Sequence, residues 1–187
     1  MLLDYLKDFE WENEPYDISF NENGMFVNAE ENTDFWLNKS QKICKNNAHF
    51  FYTKKITDFE CKASFEINDF SDFSQCGIMI KINENNVFKT SLMSQSKNNP
   101  KIGSSLTIAG FSDWAIYPLN KIENKIYYKI KKVDNIFFIF YSTDNINFHQ
   151  IRQFSFTEPL IDVKIGAYFA SPSKKTYKSV LKSIEIK

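Results

Sequence analysis

Five apolar residues, Phe59, Cys61, Ala63, Phe65 and Ile67, alternate with Glu60, Lys62, Ser64 and Glu66. A helix would spread such a set around its circumference, whereas a strand gathers it on one side. The pattern predicts a strand over Phe59–Ile67, with one face in a core and the other toward water. Cys76–Ile82 repeats it, with Cys76, Ile78, Ile80 and Ile82 inward and Gly77, Met79 and Lys81 opposite. In Val87–Met93, Phe88, Thr90 and Leu92 point inward, which leaves Val87, Lys89, Ser91 and Met93 on a mixed outer surface shared with the preceding strand. Further strands are expected at Met25–Asn28, Ile102–Ala109, Lys125–Val133, Asn135–Tyr141, Phe148–Phe154, Val163–Ala170 and Val180–Ile186.

The stretch from Ile136 to Phe148 reads as a hairpin, with Asp144 and Asn145 supplying the turn. Ile136 to Tyr141 is apolar on both faces and is expected deep inside a sheet. No long amphipathic helix is evident. Many short antiparallel strands in one domain spanning residues 1–187 predict an all-β, two-sheet antiparallel β-sandwich of jelly-roll topology. Polar segments Asn21–Gly24, Asn83–Asn86, Ser94–Lys101 and Ser171–Lys175 are the expected loops.

Composition adds to this picture. Aromatic residues make up 17% of the 187 residues, 19 of them Phe, and aromatic side chains suit pleated, half-buried surfaces. Lys plus Arg and Asp plus Glu both total 23, so no basic excess argues for nucleic acid or an anionic membrane as a partner. The opening residues lack a basic, then apolar, leader pattern, and no run of 18 apolar residues occurs, so a soluble, cytoplasmic protein is expected. Three widely spaced cysteines, Cys44, Cys61 and Cys76, suit neither a disulfide framework nor a structural zinc site and read as reduced thiols, two of them packed in strands.

The histidines, His49 and His149, have no metal-ligand spacing around them, and no phosphate-binding or nucleophile-elbow motif occurs. Neither a metal nor a cofactor is expected. His49, before Phe50 and Phe51, reads as a packed residue with a satisfied ring nitrogen. The closely spaced acidic strand signature of laminarinase-like hydrolases is missing. Asp34 and Asp113 read first as loop or turn caps, with a role as functional carboxylates the alternative. Trp36 and Trp114 follow short acidic phrases, and an indole offers a broad apolar face suited either to a sugar ring or to core filling. Gln75 and Lys89 fall on the mixed faces of neighbouring strands. Arg152, the only arginine, carries a planar fork that suits a carboxylate or phosphate ligand, or a salt bridge with Asp113.

Eight phrases in order carry a resemblance: TDFW at Thr33–Trp36, HFF at His49–Phe51, QCGIMI at Gln75–Ile80, FK at Phe88–Lys89, FSDW at Phe111–Trp114, YSTDNINF at Tyr141–Phe148, IR at Ile151–Arg152 and IGAYFASP at Ile165–Pro172. Together they resemble the regulation-of-enolase-type family of concanavalin A-like lectin/glucanase-fold proteins, formerly a domain of unknown function. The resemblance implies a concanavalin A-like jelly roll with a concave face of the kind that holds carbohydrate in related folds. It implies no set reaction. Two acidic positions of the family pattern are occupied here by Ser74 and Met93.

The sequence thus leads to an expectation of noncatalytic recognition of a carbohydrate or sugar-acid metabolite on the concave sheet by Gln75, Lys89, Asp113, Trp114, Arg152 and Trp36. Aromatic stacking would supply affinity, and the two cations would favour a negative group. The rival expectations are a regulatory module acting on a metabolic enzyme such as enolase, and a degenerate carbohydrate-active enzyme.

Overall fold

The computed structural model describes residues 6–67, 73–94, 100–119 and 124–187. Its strands are β1 (Glu10–Glu12), β2 (Asp17–Asn21), β3 (Gly24–Ala29), β4 (Phe35–Asn38), β5 (Ile43–Asn46), β6 (His49–Lys55), β7 (Phe59–Ile67), β8 (Gln75–Asn83) and β9 (Asn86–Ser94). They continue with β10 (Pro100–Ile108), β11 (Phe111–Ser112), β12 (Ala115–Pro118), β13 (Lys125–Val133), β14 (Ile136–Ser142), β15 (His149–Phe154), β16 (Val163–Ala170) and β17 (Tyr177–Ile186). One short 3-10 turn, Lys39–Gln41, is the sole helical element among the described residues. The all-β sandwich read from the sequence is the fold observed. Most of the expected loop from Ser94 to Lys101 lies outside the described residues.

The strands form two antiparallel sheets. The ten-stranded sheet runs β1-β6-β16-β8-β9-β10-β11-β4-β5, with β12 also paired to β10, and the seven-stranded sheet runs β15-β14-β13-β7-β17-β3-β2. Alternation on each strand supplies the facing layers. Phe65 of β7 meets Phe169 of β16 with ring centroids 6.0 Å apart, and Phe88 of β9 meets Phe154 of β15 at 4.7 Å. Both sheets contribute to this principal core, in which Cys61 and Cys76 are fully buried.

A second apolar layer lies on the other face of the large sheet. Phe35 and Leu37 of β4 cover Phe50 and Tyr52 of β6, Met79 of β8, Val87 of β9 and Tyr168 of β16. The face expected to be mixed and open is therefore roofed over part of its area, and every residue of β9 is buried. Strand β6 carries no alternation because His49 to Tyr52 is buried on both sides, between the two apolar layers. Continuous burial erases the period-two signal.

The expectation for Ile136–Tyr141 is corrected. Phe137 and Ile139 of β14 are buried in the core, but Phe138 and Phe140 on the opposite face are half-buried and Ile136 is 36% exposed. Lys129 covers part of that face: its Nζ lies 4.8 Å from the Phe140 ring centroid and 4.4 Å from that of Phe148. The β14–β15 turn forms as read, with Asp144 Oδ1 accepting from the Ile146 and Asn147 backbone N–H groups at 2.8 Å. These bonds, with those from the Asn147 and Ser142 side chains, hold the Asp144 carboxyl well below its ordinary range.

Candidate functional site

Where the apolar roof stops, the outer face of the large sheet opens into a cavity of about 200 Å³. Its floor is set by strand register. Gln75 pairs with Met93, Ser91 with Gly103, and Lys89 with Ser105, so these side chains share one face across β8, β9 and β10. Gly103 keeps the floor low: a Cβ there would collide with Met93 Sδ and stand 3.6 Å from Trp114 Nε1.

Trp114 reaches the cavity because of a hairpin. Ala109 and Gly110 both take positive φ, +53° and +83°, which gives a tight two-residue turn between β10 and β11. After β11 the chain leaves the ladder and rejoins β10 as β12. The pairs Thr107 with Ser112 and Ser104 with Ala115 bracket Trp114, whose indole nitrogen comes to rest over Gly103. The indole is 47% exposed. Trp36, Met93, Phe73 and Pro172 complete the apolar walls. Phe73 is 43% exposed and sits at φ +62°, a conformation that a bulky residue rarely adopts. Its backbone N–H donates to Ser94 O at 2.6 Å.

Beneath these walls lies a polar network. Lys89 Nζ donates to Asp34 Oδ1 at 2.5 Å and to the Tyr168 hydroxyl at 3.0 Å. The Tyr168 hydroxyl stands 3.2 Å from Asp34 Oδ1 and 3.1 Å from Gln75 Oε1, either of which can accept its single proton. Burial, reinforced by the negative charge of Asp34, pushes the Tyr168 phenol well above its ordinary value, so it stays protonated. Asp34 balances the charge of Lys89, and the network as a whole is neutral.

The structure brings Trp36, Gln75, Lys89 and Trp114 together around this cavity. Asp113 and Arg152 sit elsewhere: they line an adjoining cavity of about 250 Å³ with Ile116, Tyr117 and Ile151. Arg152 donates through both terminal nitrogens to Asp113 and also to Ser104 Oγ at 3.1 Å. Asp113 additionally accepts from the Leu106 N–H at 2.7 Å, a turn-closing bond. The single volume expected to gather all six residues is thus corrected to two neighbouring cavities. The physical reason is that β15, which carries Arg152, belongs to the other sheet, and its guanidinium meets Asp113 at the sandwich edge.

His49 packs as expected. Its Nδ1 is 2.6 Å from Asn13 O, and its Nε2 accepts from the Glu30 N–H at 3.2 Å. Sequence reasoning raised Asp34 as a possible carboxylate or turn cap and placed Met93 on the mixed face, but missed Tyr168, Phe73 and Ser105. Ser105 was within reach, because antiparallel register places it beside Lys89 once β9 and β10 are paired. Phe73 was not, since it sits in a turn where no periodicity operates.

Comparison with solved structures gives the fold its context. A functionally unknown protein from Saccharomyces cerevisiae matches with a TM-score of 0.88 at 19% identity, covering 97% of both chains. The GH43 protein BlXynB from Bacillus licheniformis matches with a TM-score of 0.74 at 13% identity, and this chain spans 36% of it. The carbohydrate binding module CBM66 from Bacillus subtilis matches with a TM-score of 0.60 at 10% identity, covering 96% of this chain and 95% of the module. At these identities the likeness is one of fold. No curated protein matches the chain in sequence. The family model described as protein of unknown function (DUF1349) matches residues 11–187, nearly the whole length, and the chain belongs to that family.

Proposed function

We propose that the protein is a noncatalytic carbohydrate-recognition module and that its ligand is a single neutral sugar ring held in the cavity between Trp36 and Trp114. The observation that carries this reading is the cavity's construction, apolar walls over a polar floor. Such a site matches a sugar, which offers C–H faces to an indole and hydroxyls to an amide, a hydroxyl or an ammonium group. A volume of about 200 Å³ lies below the roughly 300–1,000 Å³ of sites for drug-sized ligands, which suits one ring.

Charge narrows the choice within the expected ligands. Lys89 already holds Asp34, and Arg152 already holds Asp113. An acidic sugar would bring an unbalanced charge to a network that is already neutral, whereas a neutral ring leaves that balance and both pairs intact. Asp34 is the one carboxylate lining the cavity among the described residues, and its Oδ1 is committed to Lys89. Glycoside hydrolysis ordinarily uses two carboxyl groups about 5 to 9.5 Å apart. Recognition without cleavage is the chemistry this arrangement supports. The carbohydrate-binding-module fold match is consistent with it, while the enolase-regulator reading rests on resemblance alone.

The test is a thermal-shift screen of neutral monosaccharides and uronic acids, with a glycan array on the same protein. A neutral sugar raises Tm in the wild type and not in Trp114→Ala. Absence of any hit, or a hit indifferent to Trp114→Ala, overturns the reading.

A further inference from the structure

Ser105 is 3% exposed, lines the cavity, and its Oγ has no hydrogen-bond partner. Other hydroxyls of the same strand are satisfied. Ser104 Oγ accepts from Arg152 at 3.1 Å, and Thr107 Oγ1 pairs with Ser112 Oγ at 2.7 Å. The Thr90 hydroxyl on the neighbouring strand donates to Gly103 O at 3.0 Å. A buried polar group left without a partner is unfavourable, and each instance calls for an explanation. The location of this one supplies it.

Ser105 is the cross-strand partner of Lys89 and lines the same cavity as Trp114. An ammonium has three donors. Lys89 commits two, to Asp34 and to the Tyr168 hydroxyl, which leaves one N–H on a residue that lines the same cavity as the unpartnered Ser105 hydroxyl. A ligand hydroxyl accepting from Lys89 and bonded to Ser105 Oγ would satisfy both groups at once.

We propose that Ser105 is a specificity-determining residue that, with the remaining Lys89 N–H, reads one free hydroxyl at the inner end of the bound ring. The ligand class is then a neutral sugar with an unsubstituted hydroxyl at that position, and its deoxy and O-methyl analogues are rejected. The deoxy analogue strands the buried hydroxyl and the ammonium N–H, and the O-methyl analogue keeps an acceptor but loses its donor and overfills the floor. This inference rests on the carbohydrate-recognition reading of the cavity.

The experiment is titration calorimetry of D-glucose, D-galactose, D-xylose and L-arabinose, with the monodeoxy and mono-O-methyl analogues of each, against wild type, Ser105→Ala and Trp114→Ala. For the sugar that binds, Ser105→Ala weakens affinity about tenfold, one monodeoxy analogue loses a similar factor on wild type, and the two losses do not add when combined. Ser105→Ala also keeps or raises Tm, because it deletes an unpartnered buried hydroxyl. A serine that only supports the fold would lower Tm and weaken all analogues in proportion, and that result overturns the inference. Binding abolished by Trp114→Ala but unchanged in Ser105→Ala overturns the inference and leaves the recognition reading standing. Failure of all four sugars to bind wild type overturns the inference, and the recognition reading falls with it when the wider screen also gives no hit.

Discussion

Lys89 Nζ lies 2.5 Å from Asp34 Oδ1, a contact that joins β9 to the segment leading into β4 across 55 positions of sequence. The lysine side chain is 8% exposed and the aspartate 22%. A nearly buried charge is thus matched by one that keeps some contact with solvent, and the two are not equivalent in energy. Removing one partner of such a pair costs most when the charge left behind is the one cut off from water.

That asymmetry predicts an order of stabilities. Asp34→Asn strands the Lys89 ammonium and is expected to lower unfolding free energy by about 3 kcal/mol. Lys89→Met replaces the charge with an apolar chain of similar length and leaves Asp34 partly hydrated, for a loss of about 1 kcal/mol. The double variant should resemble Lys89→Met rather than the sum. Urea unfolding of the three variants measures this, and equal losses for the two single changes would count against the ion pair as the dominant interaction.

A second charged group sets the response to pH. Glu12 accepts from Lys164 at 3.1 Å and from Lys81 by a shorter contact, and Lys81 also reaches Glu84 at 2.6 Å. Burial acts to raise the Glu12 carboxyl, but the two lysines outweigh it and hold the group below its ordinary value of 4.5. A carboxyl lowered in the folded state contributes stability that is complete above its unfolded value and is lost as pH falls through the folded value. Lys164 behaves in the opposite sense. Burial works against its charge, but Glu12 raises it above 10.5, so its contribution is complete below that value and fades as pH climbs through the folded one. Glu12→Gln should lose about 2 kcal/mol at pH 7 and show a shallower decline between pH 5 and 3 than wild type, as read by urea midpoints.

The thiols give a separate check on packing. Burial pushes the Cys76 thiol up to about 12 and that of Cys61 higher still, while Cys44 is exposed on β5. Because the thiolate is the reactive form, a chromogenic disulfide reagent should titrate one thiol per native molecule and three in urea. Rapid labelling of two or more in the native state would mean that the sheets open readily.

How much of this was legible in the sequence follows from where periodicity survives. Phe59–Ile67, Lys125–Val133 and Val163–Ala170 have the boundaries that were read from them. The first two alternate between a dry face and a wetter one, and β16 shows as an apolar run. Strand β4 went unread because it is short and roofs the large sheet, β5 because it is short and exposed throughout, and β6 because both its faces are covered. The same roof explains the site. Gln75 and Lys89 were identifiable from alternation, but the partner of Lys89 comes from Asp34, whose proximity depends on how β4 folds across the sheet. Arg152 and Asp113 were paired in one reading of the sequence, and the structure has that pair; their distance from the Lys89 network was invisible without sheet assignment.

Glycines at two places on the large sheet separate fold from cavity. A Cβ on Gly77 would fall on the Thr90 carbonyl oxygen and within 2.6 Å of Ser91 Cα, both backbone atoms of the paired strand β9. Backbone in a ten-stranded sheet cannot retreat without breaking its ladder, so Gly77→Ala is expected to abolish folding or lower Tm severely. A Cβ on Gly103 would instead strike Met93 Sδ, the mobile end of a flexible side chain. Met93 can rotate away, and Met93 itself lines the cavity, so Gly103→Ala should reshape the floor at an overpacking cost of about 1–3 kcal/mol. For a chain of this length that corresponds to a Tm decrease of roughly 2 to 12 °C. Circular dichroism melts and sugar titrations on both variants should therefore diverge. Gly103→Ala keeps a cooperative transition and loses the ligand, whereas a Gly77→Ala protein that melts like wild type would contradict the close approach of β8 to β9.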